Sequence, residues 1–519
     1  SNYVKQSPLS IRPVRISDKV DKSTVGCPRP KSIRGRILKP YYAAAILLAI
    51  PIYLPRLMRS FWLDEAGTFF MVRNGFWAAI EACSNWPGQS ILYGALTSLF
   101  CLEGGPLREP LLRLPGLIGL GLLLYFTARL ATRALGATAG LCAFVLMLFH
   151  PQSFDLYIQA RAYGLAAAAV AASYWMIYEW VETRRRVFAA GWAVATVLIF
   201  YLHYLYVVSL LAQGVYLAWV FVAEKRSERW RDLAWATAAV PVLLAPLLSH
   251  MLLLVQQSYS LSYVSMPDFV DLVRALAPFP LLMGVIGGGL VLQMILVAKG
   301  AGRSQWSLPA TGFLVLAGGW WLLGTLVLFC ISRSSTLQVF IDRYLGSSAP
   351  ADALLLSAIG VCVFERRSAI GWAFLAVLLT TGSPLNWRPS WDPGPLESRT
   401  MTDIVSAISP EQPPPLIFQS SLVESNVLDW RRGPSGSYAF NELVAYPVPN
   451  RLFPLPTRLE ADTEYHVQGI LDGELKDAPM IVYVRMGEIP AWIYAQLAMR
   501  GYRVERMRPN AYSIAIFRK

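Results

Sequence analysis

Long apolar runs separated by short polar turns fill most of the chain as far as Ser383. Runs of about 16 to 25 residues match the length a helix needs to cross the hydrocarbon layer of a bilayer. They predict spans at 40–58, 111–130, 136–150, 161–180, 187–202, 204–222, 233–255, 276–298, 308–331, 348–364 and 368–383, about 11 transmembrane helices in all. No cleavable leader pattern precedes the first run, so that run is expected to remain as an anchor.

The basic residues test this count. With the N-terminal tail inside, the inner turns carry Arg129 and Arg133, Arg184 to Arg186, Lys225 to Arg231, Lys299 and Arg303, and Arg366 with Arg367. Every basic cluster then falls on the cytoplasmic side, as the positive-inside bias requires. The apolar run Ser90–Leu102 is the exception, because counting it as a twelfth span would move all those clusters outside. It is read instead as a short helix dipping into the outer leaflet, which leaves a first external loop at 59–110. Within that loop Phe69, Val72, Phe76, Ile80 and Cys83 recur at spacings of three and four, the stripe of one apolar helix face. With Trp77 and Trp86 nearby, the stripe predicts an interfacial helix on the outer membrane surface.

Past Ser383 the pattern changes. A Pro, Gly and Trp-rich linker leads into a segment, 384–519, holding 15 acidic and 14 basic residues, the balance of an ordinary soluble domain. "PLIFQSS", "MIVYVRM" and "YSIAIFRK" read as strands, and "IPAWIYAQLAMRG" as a helix closed by Gly501. The fold class is therefore a polytopic α-helical membrane protein with a small C-terminal α/β domain. Its parts are a basic cytoplasmic tail at 1–39, a transmembrane region at 40–383 and an extracytoplasmic domain at 384–519.

Composition agrees, with 55% hydrophobic and 15% charged residues over 519 positions, too apolar for a soluble globule. Net charge is +13, but residues 1–40 hold ten Lys or Arg against two Asp. A basic tail before a first span is an anchor on the anionic inner leaflet, and the distribution excludes nucleic acid as the partner. The six cysteines show no CxxC or Cys/His spacing, so neither a zinc site nor a redox pair is indicated. Cys83 and Cys101 share the first external loop, either paired or as separate thiols.

Ionisable groups at a membrane edge are costly, and here they gather on the outer side. Asp64 and Glu65 follow the first span; "FDLYIQARAYGL" brings Asp155, Arg161 and Tyr163; "FYLHYLY" brings His203 and Tyr204; "VFIDRYLGSSAPAD" brings Asp342, Arg343 and Tyr344, with Asp352 beyond. One Arg beside one Tyr at a loop is ordinarily a snorkelling pair. Four outer turns carrying carboxylate, arginine, histidine and tyrosine together point to an anionic headgroup, since Arg binds phosphate bidentately and keeps its charge.

The order of "FWLDEAGT", "WPGQSILY", "LRLPGL", "IQARAYGL", "LHYLY" and "DRYLGSSAP" resembles that of the GT-C superfamily of integral-membrane glycosyltransferases. The likeness is to bacterial relatives of the protein O-mannosyltransferases and of the lipid A aminoarabinose transferases, and it extends over residues 40–383. Trp86-Pro87-Gly88 stands where many relatives have His-Pro-Pro, and "QARAY" lacks the acidic residue of the usual Q-E-A-R-x-Y. The resemblance implies a helical bundle whose active site lies at the outer face of a bacterial inner membrane. It implies transfer of a sugar from a polyprenyl-phosphate carrier to a hydroxyl of a lipid, polysaccharide or protein acceptor. Asp64 matches the family's catalytic aspartate, Glu65 its acidic neighbour, and Arg161 and Arg343 the residues that hold the lipid phosphate. Tyr163, Tyr344 and His203 are expected beside that phosphate, and Asp155, Trp86, Gln89 and Tyr204 are candidate acceptor or sugar contacts.

One carboxylate within reach of the acceptor hydroxyl suffices as base, because a phosphate ester leaves without a separate acid. No cofactor is expected; a divalent metal held by Glu65 beside Asp64 is the less favoured alternative, since an adjacent acidic pair without a third ligand makes a poor cation site. No Gly-rich nucleotide loop is present in the sequence. A transporter or flippase of a lipid-linked glycan is the alternative reading, with the same arginines binding phosphate without chemistry.

Overall fold

The computed structural model describes residues 39–86, 88–224, 230–256, 266–276, 311–335, 337–364, 398–420, 436–456, 459, 461–509 and 512–519. The basic tail, the expected spans at 276–298 and 368–383 and nearly all of the linker lie outside them.

The chain is mostly helical with one small sheet. It runs through α1 (Lys39–Leu57), α2 (Leu63–Val72), α3 (Phe76–Ser84), α4 (Ile91–Ser98), α5 (Arg108–Leu135), α6 (Ala137–Leu148), α7 (Pro151–Asp155), α8 (Tyr163–Thr183) and α9 (Arg186–Leu202). A 3-10 turn at Tyr204–Ser209 leads into α10 (Leu210–Glu224), then α11 (Trp230–Leu244), α12 (Leu248–Gln256), α13 (Phe269–Leu276), α14 (Thr311–Ser334), α15 (Asp342–Leu345) and α16 (Ala349–Phe364). Among the described residues, five helices are long and apolar enough to cross a membrane: 39–57, 108–135, 204–222, 230–254 and 311–334. The run at 90–102 forms only the eight-residue α4, about 12 Å long and too short to span.

Small residues let the central helices meet backbone to backbone. Gly119 of α5 lies directly against the Gly164 and Leu165 backbone of α8, leaving no room for a Cβ, and α8 continues with the alanine-rich, buried stretch Ala166–Ala172. Close approach of this kind replaces the hydrophobic drive that lipid cannot supply. Where α5 and α8 end together, Arg133 pairs with Glu179 at 3.2 Å and Glu182 at 3.8 Å. Arg113 lies near the opposite end of α5, about 30 Å away by helix rise.

The amphipathic stripe expected on one helix is split between two. Gly75 adopts φ +93°, a left-handed conformation that glycine accepts without strain, and it separates α2 from α3. Phe69, Val72 and Cys83 are buried, whereas Phe76 and Trp77 are exposed. The apolar spacing was correct for burial in part, but spacing alone does not register a break supplied by one glycine.

The C-terminal part carries α17 (Ser398–Ser406), α18 (Asn441–Ala445), α19 (Ala461–Gln468) and α20 (Ala491–Met499) around five strands, β1 (Leu416–Gln419), β2 (Leu452–Leu455), β3 (Met480–Met486), β4 (Arg503–Pro509) and β5 (Tyr512–Arg518). The sheet order is β2-β1-β3-β5-β4, with β1 parallel to β2 and β3, and β5 antiparallel to β3 and β4. β1, β3, β5 and the helix before Gly501 stand where the sequence puts strands and helix; β2 and β4 were not anticipated. Alternating side chains serve two cores. Ile417, Tyr483 and Phe517 pack under α19 and α20, while Leu416, Phe418, Val482 and Ile514 face Met401, Val405, Phe440 and Leu443. That second face brings residues 438–446 against α2, with Phe61, Phe69, Tyr438 and Tyr446 in one apolar cluster.

Candidate active site

Asp64 and Glu65 occupy the first turn of α2, where carboxylates oppose the positive end of the helix dipole. Trp62 precedes the helix in extended conformation, and its N–H donates to Glu65 Oε2 at 3.4 Å, closing the turn as a capping glutamate does. Adjacent positions on a helix point about 100° apart, so the two acids meet different partners.

Glu65 is buried, 1% exposed. Arg113 grips it bidentately, Nε to Oε1 at 2.7 Å and Nη2 to Oε2 at 2.5 Å, and the Ala160 N–H also donates to Oε1 at 2.7 Å. The remaining Arg113 donors reach the carbonyls of Arg56, Leu57, Arg59 and Ser60 at 3.1, 2.8, 2.6 and 3.0 Å. One guanidinium thus satisfies carbonyls at and just beyond the end of α1, and with Glu65 it ties α1, α2, α5 and the 156–162 turn together. Arg113 belongs to "LRLPGL", yet an arginine at the third position of an expected span gave no sign of being buried.

Asp64 turns the other way. Arg343 Nη1, from α15, donates to Asp64 Oδ2 at 2.7 Å, with both side chains partly exposed. Arg161 lies within electrostatic reach of Asp64 and Arg343, and its Nη2 approaches the Gly88 carbonyl at 3.4 Å. Aromatic rings line the same region: His203 lies 5.2 Å from Tyr163, 4.4 Å from Tyr206 and 5.5 Å from Tyr344 between ring centroids. Arg161 lies over Tyr163 and Arg343 over Tyr344, at 5.8 and 5.4 Å. Burial, then the charges of Arg161 and Arg343, push His203 down to about 3, so its imidazole is neutral at working pH. Tyr206 is a further member; its hydroxyl donates to the Arg343 carbonyl at 3.0 Å.

Asp64, Arg161, Tyr163, His203, Arg343 and Tyr344, drawn from four separate turns, therefore meet in one place. The other candidates go elsewhere or take other partners. Asp155 pairs with Arg56 of α1. Tyr204 bonds His250, whose other ring nitrogen reaches the Cys83 carbonyl at 3.0 Å. Asp352 faces His150 at 3.5 Å. Gln89 is buried and donates to the Tyr438 hydroxyl at 3.2 Å, and the Trp86 ring lies 5.1 Å from the Tyr438 ring. Cys83 and Cys101 are both free thiols. Among the described residues, no group of three or more His, Cys, Asp or Glu is arranged to hold a metal ion.

A second polar cluster ties the C-terminal part to this loop. Arg108 Nη2 and Arg399 Nη2 both donate to Glu109 Oε1, at 2.9 and 2.6 Å, as does the Tyr446 hydroxyl at 2.8 Å. The Phe61 N–H donates to the Tyr446 hydroxyl at 2.7 Å, and Arg108 Nη1 donates to the Ala445 carbonyl at 2.6 Å. None of these residues was singled out in the sequence, because each needs its partner from more than 280 positions away to be recognised.

No protein-family model matches the sequence, and comparison with curated proteins gives no match. Among solved structures, the crystal structure of ArnT from Cupriavidus metallidurans in the apo state aligns with a TM-score of 0.51 at 12% identity, covering 92% of this chain and 98% of that one. The structure of ArnT from the same organism bound to undecaprenyl phosphate aligns with a TM-score of 0.49 at 13% identity, with the same coverage. The arrangement that brings Asp64 to Arg343 is thus set in a fold similar to that of ArnT.

Proposed function

We propose that this chain is a membrane glycosyltransferase that moves a sugar from a polyprenyl-phosphate carrier to an acceptor hydroxyl, with inversion, at the outer face of a bacterial inner membrane. The observation that carries this reading is the Asp64–Arg343 pair at 2.7 Å, beside Arg161, in a fold similar to that of a protein crystallised with undecaprenyl phosphate. A carboxylate and two guanidiniums within one constellation supply the two things the reaction needs.

The acceptor hydroxyl loses its proton to Asp64 as its oxygen forms a bond to the anomeric carbon. On the opposite face the anomeric carbon–oxygen bond breaks, and the electron pair leaves with the carrier phosphate. A guanidinium has five N–H donors, so Arg343 can orient Asp64 and meet a phosphate oxygen together, while Arg161 adds the second charge. Both stabilise the negative charge that grows on the leaving phosphate. Neutral His203, with Tyr163 and Tyr344, supplies polar and aromatic lining without adding a competing anion. Glu65 takes no part in proton transfer in this scheme, since Arg113 and the Ala160 N–H hold both its oxygens; it fixes the helix turn that presents Asp64.

Outer placement rests on the sequence's charge asymmetry and on the Arg133, Glu179 and Glu182 cluster at the end of α5 and α8 remote from Arg113. The test is transfer of labelled sugar from synthetic polyprenyl-phosphate donors by the purified chain in nanodiscs. Label appearing on an acceptor hydroxyl is the expected result. Label crossing the bilayer of proteoliposomes on its carrier, with none transferred, would replace the enzyme by a flippase.

A further inference from the structure

We propose that Tyr438, contributed by the C-terminal part of the chain, is a positioning residue of this site that holds Trp86, Gly88 and Gln89 against Arg161. The inference rests on the reading of Arg161 as a carrier-phosphate ligand and adds to it that the site is incomplete without the C-terminal part.

Tyr438 is 7% exposed and lies just ahead of α18, the element that packs along α2. Its ring sits 5.1 Å from Trp86 and, edge-on, 5.7 Å from Phe70. Its hydroxyl accepts the Gln89 amide at 3.2 Å. The hydroxyl also fills the place a side chain at Gly67 would take: a Cβ there would overlap it. Glycine one turn after Asp64 is therefore what admits the phenol to the catalytic helix.

Gly88, next to Gln89, supplies the carbonyl that accepts Arg161 Nη2 at 3.4 Å. A short chain of contacts runs from Tyr438 through Gln89 and Gly88 to Arg161. Around it the same C-terminal segment is latched to the loop, with Asn441 Nδ2 donating to the Leu63 carbonyl at 3.3 Å and Ser398 Oγ to the Phe61 carbonyl at 2.9 Å. A buried tyrosine whose hydroxyl serves only packing would not need a glycine on one side and an amide on the other.

The experiment measures the dissociation constant for undecaprenyl phosphate, and the thermal midpoint, of the full chain in nanodiscs. Tyr438→Phe keeps the ring and removes the acceptor; affinity is expected to fall about five-fold, with a modest drop in the midpoint because the buried Gln89 amide loses its acceptor. Gln89→Leu should match it, and the double variant should be no worse than either single. In an Arg161→Ala background, Tyr438→Phe should add nothing. The exposed Tyr465, also in the C-terminal part, serves as control, with Tyr465→Phe binding as the parent does. Unchanged affinity in Tyr438→Phe, or a lower midpoint without lower affinity, overturns the proposal; if that variant fails to fold, unchanged affinity in Gln89→Leu does so. Arg343→Ala separates the two levels. If it abolishes binding while Tyr438→Phe does not, only this inference falls; if it too binds normally, the carrier reading falls with it.

Discussion

At the scale of single residues, the acidic pair in "WLDEAGT" divides into two unlike jobs. Glu65 is a buried anion whose removal alone leaves Arg113 without its carboxylate, and removal of Arg113 alone leaves Glu65 charged at 1% exposure. Breaking such a pair from one side typically costs about 3–5 kcal/mol, while replacing both members by apolar groups costs far less. Glu65→Leu and Arg113→Met are each expected to lower the thermal midpoint steeply, and the double variant to recover part of the loss; additive midpoints would show that the two do not act as a pair. Asp64, by contrast, is partly exposed beside Arg343. Its removal should leave the fold intact. The sequence showed that the pair was unusual and outward-facing by expectation, but not which acid was buried, because the partners that decide it, Arg113 and Arg343, lie 48 and 279 positions away.

At the scale of elements, the short 156–162 turn is the hinge of the account. It presents Arg161, donates the Ala160 N–H to Glu65, and rests on Gly116 through the carbonyls of Tyr157 and Gln159. Gly116→Ala adds one methyl where there is no room for it. Overpacking of that kind costs about 1–3 kcal/mol, and since the turn must shift to relieve it, carrier binding should weaken together with stability. Lower stability with undisturbed binding would contradict the link between helix contact and Arg161. The five membrane-length helices among the described residues were legible as apolar runs, because length and hydropathy mark them locally. The break at Gly75 and the strands β2 and β4 were not, since a positive φ and a four-residue strand such as "LFPL" take their meaning from the neighbours they pack on.

At the scale of the whole molecule, the C-terminal part is fastened to the 59–110 loop by the buried polar groups of Tyr446, Ser398 and Asn441, and a buried acid behind them titrates near neutrality. Glu442 of α18 is 1% exposed. Burial pushes it up from 4.5 to about 7, against the hydrogen bond from Tyr512, whose hydroxyl also meets Ser398. An acid raised in the folded state binds its proton more tightly there, so its contribution is fully present below its unfolded value and is lost as pH rises through about 7. The thermal midpoint should therefore fall between pH 5.5 and 8, and Glu442→Gln should flatten that fall; an identical slope in the variant would refute the assignment. The measurement that bears most directly on the central claim is sugar transfer by Asp64→Asn at saturating donor, with carrier affinity measured alongside. Loss of the base should slow transfer by about 10²–10⁴-fold, while undecaprenyl phosphate binds at least as tightly, because Arg343 no longer has a carboxylate competing for it. Transfer by Asp64→Asn at the parent rate would contradict the account.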